Sequence, residues 1–312
     1  MEALETNRKK MVALLNRMAT LDGMRSSTLD GVHLLRSSCS LQRVPVMYEP
    51  SIIIVAQGRK HGYLQGQSFE YNAHNYLTLT VPLPFECVTE VAEDGPFLGI
   101  AIRIDLAVLS ELLLQMDQRT RLTLIRSSEG AEATVSANPL DPALSDATVR
   151  LLECMNSATD ATILGPQIIR EITYRVLQGK QGGALQSLLT SDGPRMQMHR
   201  VLHRMHADYA RPIDISELAT EMGMSISALH HHFKALTDTS PLQYLKTVRL
   251  HKARMLMVQD SLGASLAAER VGYESPSQFS REFKRLFGYP PSSETQRLRT
   301  AFTSPQPAAQ AS

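Results

Sequence analysis

Apolar positions recur in two different rhythms along this chain. Over residues 3 to 18, Leu4, Met11, Leu14, Leu15 and Met18 fall at roughly helical intervals and predict a short N-terminal helix. From about Val32 to Ile104 the rhythm shortens. Apolar or alternating runs at Ser51 to Ala56, Tyr76 to Val81, Phe85 to Val91 and Phe97 to Ile104 are separated by Gln57-Gly58, Gln65-Gly66, Asn72-Ala73 and Asp94-Gly95-Pro96. Short strands with turns between them predict a small sandwich or barrel. Asp105 then fits the N-cap of a helix carrying Leu106, Leu109, Leu112, Leu113 and Met116. Asp141 and Pro142 fit the cap and first turn of a helix to about Asn156, and another follows from about Ile163 to Leu177. Gly179-Lys180-Gln181-Gly182-Gly183 ends it, and Leu185, Leu188 and Leu189 give the junction beyond it one apolar side. After Pro194 only short helical patterns remain, so the distal part is expected to be all helix.

Within that distal part the chain echoes itself at a spacing of 49 to 50 residues. One copy runs from Ile215 to Leu236 and the other from Gly263 to Gly288. Each sets Ala, three residues and Gly (Ala219 and Gly223; Ala268 and Gly272), then Ser (Ser225; Ser275), then apolar residues at i and i+4 (Leu229 and Phe233; Phe279 and Phe283). The Ala permits close helix approach, the Gly accepts a left-handed turn that side chains resist, and the Ser caps the next helix. That is a helix-turn-helix written twice, and Glu274 is the residue that shifts the spacing. Asp214 with Glu217 resembles a capping box for the first copy. Between the copies Ser240-Pro241 starts a helix patterned by Leu245, Val248, Ala253, Leu256 and Met257 to about Val258. Such a helix holds two recognition elements at a set distance, and readers of successive major grooves need about 34 Å.

Composition sharpens this picture only when the chain is divided. The net charge of +1 conceals 17 Lys+Arg against 21 Asp+Glu up to Pro194, and 15 against 10 beyond it. Seven of the ten histidines also lie in the basic part, which suits a nucleic-acid partner without requiring one. Cys39, Cys87 and Cys154 are widely spaced and odd in number, so neither a disulfide framework nor a zinc site is expected. The charged N-terminus and the lack of any long apolar run point to a cytoplasmic protein with no membrane span.

Three segments carry a family resemblance: SELATEMGMSISALHHHFK, TSPLQYLKTVRLHKARMLM and AAERVGYESPSQFSREFKRLFGYPP. They resemble the AraC/XylS transcriptional regulators over essentially all of residues 213–291. Upstream, VPVMYEPSIIIVAQGRKHGYLQGQSFEYNAHNYLTLTVPLPFEC and the helix PQIIREITYRVLQG resemble the cupin-like N-terminal domain of a subgroup. The resemblance implies an α+β protein with a cupin-like β-barrel, flanking helices and an all-α domain of two helix-turn-helix motifs on a linker helix. Its expected parts are a helical extension over 1–30, an effector-binding and dimerisation domain over 31–178 and a linker over 179–194. A DNA-binding domain over 195–299 and a disordered tail over 300–312 complete it. It further implies double-stranded DNA, a small organic effector and RNA polymerase as partners, and a homodimer.

Carried over by position, the base-facing residues of the first recognition helix are Ser227, His230 and His231, and of the second Ser277, Gln278 and Arg281. Arg281 suits guanine and Gln278 adenine, while Lys234, Lys284 and Arg285 suit phosphates. The run His230-His231-His232 departs from the Arg or Gln that would read more strongly. His199 and His203, with His206 beyond, read as a solvated helix face, since no carboxylate or cysteine completes a metal set. A cupin-type metalloenzyme is the competing class, but His33, His61 and His74 form no H-x-H, so no metal, cofactor or catalytic activity is expected. Tyr48, Gln57, Lys60, His61 and Cys87 are candidate effector contacts from their places in the strand-rich region, with Cys87 also a candidate thiol sensor.

Overall fold

The computed structural model describes residues 2–116, 134–179, 182–190 and 194–303. Helix α1 (Glu2–Met18) precedes nine strands: β1 (Gly23–Ser26), β2 (Val32–Ser37), β3 (Leu41–Met47), β4 (Ser51–Gln57), β5 (Arg59–Leu64), β6 (Gln67–Asn72), β7 (Asn75–Leu79), β8 (Pro84–Glu90) and β9 (Phe97–Arg103). Helix α2 (Leu106–Gln115), strand β10 (Val135–Pro139), and helices α3 (Pro142–Cys154), α4 (Ala158–Gln178) and α5 (Gly182–Thr190) follow. The strands form two antiparallel sheets, ordered β1-β2-β9-β4-β7-β10 and β3-β8-β5-β6. The fold is α+β, as expected.

The larger sheet is covered on both faces. Its inner face shares a core of Leu35, Ile53, Val55, Leu77, Leu79 and Ala101 with Tyr71, Phe85 and Cys87 of the smaller sheet. Its outer face carries Ile52, Ile54, Ile100 and Ile102 against α1 to α5. Double burial is why β4 is buried at every position and reads as one apolar run. The smaller sheet keeps an exposed outer face, which leaves β3, β5 and β6 mixed in polarity. The caps act as expected: Asp105 accepts from the amides of Ala107 and Val108, and Asp141 from that of Leu144.

Three expected segments differ in the structure. Strand β1 pairs with β2 inside the span expected to be a helical extension. The expected linker holds α5, because Leu185 and Leu188 bury themselves in the helix-covered core. Helix α12 (Pro291–Thr303) enters the expected tail, whose residues 304–312 lie outside those described. The first proline beyond it is Pro305, so nothing earlier interrupts the backbone.

The distal part is helical throughout: α6 (Pro194–Ala207), α7 (Ile215–Glu221), α8 (Ile226–Thr237), α9 (Pro241–Gln259), α10 (Ala264–Arg270), α11 (Pro276–Phe287) and α12. Its cores are joined by α9. Tyr244, Leu245 and Val248 enter a cluster with Met198, Leu202, Leu218, Leu229 and Phe233. Leu250, Ala253 and Met257 enter another with Ala267, Val271, Phe279, Phe283 and Phe287. Because it serves two cores, α9 is apolar on more than one side and only weakly amphipathic along its whole length. Val81 and Leu83, from the loop between β7 and β8, complete the first cluster, so the sheet domain and the first copy share a core.

Candidate nucleic-acid interface

The repeated residues act on the backbone as their types require. Gly223 and Gly272 both turn with positive φ, at 67° and 83°. Ser225 accepts the amide of Ala228 at the start of α8, and Ser275 that of Gln278 at the start of α11. Asp214 accepts the amides of Ser216 and Glu217, opening α7. Leu229, Phe233, Phe279 and Phe283 are buried, which turns the opposite face of each recognition helix outward. Ser227, His230, His231 and Lys234 are exposed on α8; Ser277, Arg281, Lys284 and Arg285 are exposed on α11. Gln278 is half-buried, and its Nε2 donates to Glu282 Oε1 at 3.2 Å.

Helix α9 has 19 residues. At about 1.5 Å per residue such a helix is roughly 28 Å long, the scale of one duplex turn. Arg249 on it donates to the carbonyl oxygens of Tyr209 (2.7 Å), Arg211 (2.9 Å) and Gly272 (3.1 Å). One guanidinium thereby ties the approach to the first copy to the turn of the second. Arg254 pairs with the buried Glu294 at 2.8 Å, fastening α12 to the same helix.

The sheet domain grips α9 directly. Lys252 pairs with Glu49 at 3.0 Å, Arg254 donates to the Pro45 carbonyl at 2.9 Å, and Gln259 donates to that of Met24. Tyr244 donates to the Pro82 carbonyl, and His206 Nε2 lies 2.8 Å from the same hydroxyl. Since the single phenolic proton goes to Pro82, Nε2 is the donor to Tyr244 and Nδ1 keeps its lone pair. This corrects the solvated-face reading for His206, which packing against Tyr244 takes out of water. Burial, reinforced by Lys252, lowers its pKa to about 4; burial, reinforced by Arg254, lowers that of His251 to about 3.

These contacts surround a cleft of about 130 Å³ between the two parts of the molecule. His33, Tyr48, Glu49, Ser51 and Arg103 line it from the sheets, and His206, His251 and Lys252 from the helices. His206 Nδ1 and His251 Nε2 are buried without a hydrogen-bond partner among the described residues. Nothing in the linear pattern marks this set, since it forms only when distant segments meet.

Of the expected effector contacts, three come together. Lys60 Nζ donates to Tyr48 Oη at 3.0 Å, and Tyr71 Oη lies 3.6 Å from Cys87 Sγ in the core between the sheets. Burial opposes the charge on Lys60, but Tyr48 and Cys87 outweigh it and raise its pKa. Gln57 and His61 do not join them. Gln57 holds the Pro96 carbonyl at 2.9 Å, beyond an irregularity in the pairing of β4 with β9. His61 follows Lys60 on β5, so it takes the other face and sits 3.4 Å from Glu90. Cys39, Cys87 and Cys154 form no disulfide. Among the described residues no cluster of three or more His, Cys, Asp or Glu could hold a metal ion, and no helix is long and apolar enough to cross a membrane.

Comparison with known proteins places this arrangement. A family model for the N-terminus of AraC-type transcriptional regulators matches residues 28–184, and one for a helix-turn-helix domain matches residues 218–297. The transcriptional regulator GbdR of Pseudomonas aeruginosa is 32% identical over 119 residues, covering 38% of this chain and 32% of the relative. The transcriptional activator RhaS of Klebsiella pneumoniae is 29% identical over 143 residues, covering 46% of this chain and 50% of the relative. The matches thus span about a third and about half of these relatives' length. Apo ToxT from Vibrio cholerae aligns with 87% of this chain and 99% of its own, with a TM-score of 0.62 and 12% identity. ToxT bound to an unsaturated fatty acid covers 88% of this chain and 95% of its own, with a TM-score of 0.61 and 15% identity. At such identities the likeness is one of fold.

Proposed function

Because the chain belongs to the AraC-type transcriptional regulators, we propose that it binds one asymmetric DNA site through two consecutive major grooves and changes its occupancy when a small organic effector binds. The metalloenzyme alternative is set aside, because this family consists of transcription regulators. In this reading Ser227, His230 and His231 meet bases from α8, and Ser277, Gln278 and Arg281 from α11. Lys234, Lys284 and Arg285 meet phosphates. The observation that carries it is the pair of capped helices, polar and basic on their exposed faces, held on a single 19-residue helix.

The effector occupies the cleft between sheets and helices, with Tyr48 joining that cleft to Lys60. Two unsatisfied imidazole nitrogens and a lining drawn from both parts of the molecule support this placement, as does a neighbour of the same fold that binds a fatty acid. A ligand there touches Lys252 and His251 on α9, so it acts on the element that spaces the two recognition helices. In the cell the chain works as a homodimer and contacts RNA polymerase.

A gel-shift titration with the DNA upstream of its own gene, at several salt concentrations, tests the reading. Affinity should fall steeply as salt rises and exceed that for random DNA. Affinity indifferent to salt, or equal on random DNA, would refute it.

A further inference from the structure

We propose that Glu282 is a positioning residue that presets the base-reading amide of Gln278. The inference rests on the reading of α11 as a DNA-recognition helix. Glu282 is mostly buried and receives three hydrogen bonds at once. Lys246 Nζ donates to its Oε1 at 2.8 Å, Tyr273 Oη to its Oε2 at 2.7 Å, and Gln278 Nε2 to its Oε1 at 3.2 Å.

An ionised carboxylate only accepts, so the amide of Gln278 has one orientation beside it: nitrogen inward, carbonyl oxygen away. One N–H and the carbonyl oxygen remain for a partner. That is the pair needed for a bidentate contact with adenine, whose N7 accepts and whose N6 donates. Rotating the amide would place its oxygen against the carboxylate and present the wrong pattern. Glu282 thus selects one of two otherwise similar readers.

The partners explain how an acid can stand on a helix beside phosphates. Lys246 on α9 neutralises it, so the pair adds no net charge to the basic face of Arg281, Lys284 and Arg285. The network also ties Gln278 to α9 and, through Tyr273, to the turn before α11. It has no equivalent in the first copy, where the corresponding positions are Ala228, His232 and Met224.

The test is selection from a randomised duplex library by the full-length protein, comparing wild type with Glu282→Gln, Lys246→Met and Tyr273→Phe. Wild type should enrich a motif with an adenine lost in Gln278→Ala. Glu282→Gln should lower discrimination at that base pair by about tenfold while leaving the base pair read by Arg281 unchanged. It should also raise affinity for random duplex and steepen the salt dependence by about one phosphate contact, because Lys246 is released. Lys246→Met and Tyr273→Phe should show smaller losses at the same base pair. A role in folding alone would weaken every position together, and unchanged discrimination in Glu282→Gln would overturn the inference. If Glu282→Gln does not fold, Tyr273→Phe is judged by the same criterion. If wild type enriches no sequence, the regulator reading falls and this inference falls with it.

Discussion

The first helix-turn-helix closes its core with Val81 and Leu83 borrowed from the sheet domain, whereas the second closes its own with a tilted run of Phe279, Phe283 and Phe287. The first presents serine and histidines outward; the second presents arginine and a glutamine held by a buried carboxylate. Copies built by one backbone recipe therefore differ in what completes their cores and in what they present outward. The second fills its core from its own helices, while the first shares its core with the sheet domain. In the proposed reading, an effector that loosens or tightens the sheet domain acts on the first copy through a shared core and on the second through the contacts of Lys252, Arg254 and Gln259 on α9.

The largest expected effect separates the two turn glycines. A Cβ on Gly272 would lie 2.2 Å from the Ala210 carbonyl oxygen, besides straining a left-handed backbone; around Gly223 there is open space. Gly272→Ala should cost at least about 3 kcal/mol, and Gly223→Ala about 1 kcal/mol, from strain alone. Urea unfolding of both variants measures the difference, and equal losses would mean the turns are not packed differently.

Next comes the borrowed core. Leu83→Ala, a change in the sheet domain, should cost about 3 kcal/mol through the cavity it leaves. Hydrogen exchange should quicken in α8 and hardly change in α11. Quickening in both would show that the second copy is not self-contained.

Acid probes the same junction. His206 and His251 are held neutral, with pKa values lowered to about 4 and about 3, while in the unfolded chain each takes a proton near 6.5. Stability is therefore full above about pH 6.5 and falls as the pH drops towards 4, by on the order of 3 kcal/mol for His206. A pH series of thermal melts should show that decline, and His206→Gln should flatten it.

The smallest separation lies in DNA reading. Arg281→Ala should lower specific affinity roughly ten- to a hundredfold, and His231→Ala only a few-fold, because imidazole lacks the fork that engages guanine. Losses of equal size would mean that the two copies share the reading.

The repeat was legible in the sequence because its turns depend on residues whose backbone preferences are local: Gly223, Gly272, Ser225 and Ser275 carry their geometry with them. Strand β4 was legible for a similar reason, being apolar at nearly every position. Strands β5, β6 and β10 were not, because a sheet with one solvated face, or an edge, mixes polar residues with apolar ones. His206 could not be placed from its helix alone, since its burial depends on Tyr244, 38 residues away, and on a loop of the other domain. The cleft was hidden for the same reason, and the role of Glu282 shows only when Lys246 and Tyr273 are seen to reach it.

Footprinting of the full-length protein on a duplex it has selected tests the central claim most directly. Protection should fall in two consecutive major grooves about 10 base pairs apart on one side of the helix, and Arg281→Ala should erase the half bound by the second copy. Protection confined to one groove, or two protected grooves on opposite sides of the duplex, would contradict the account.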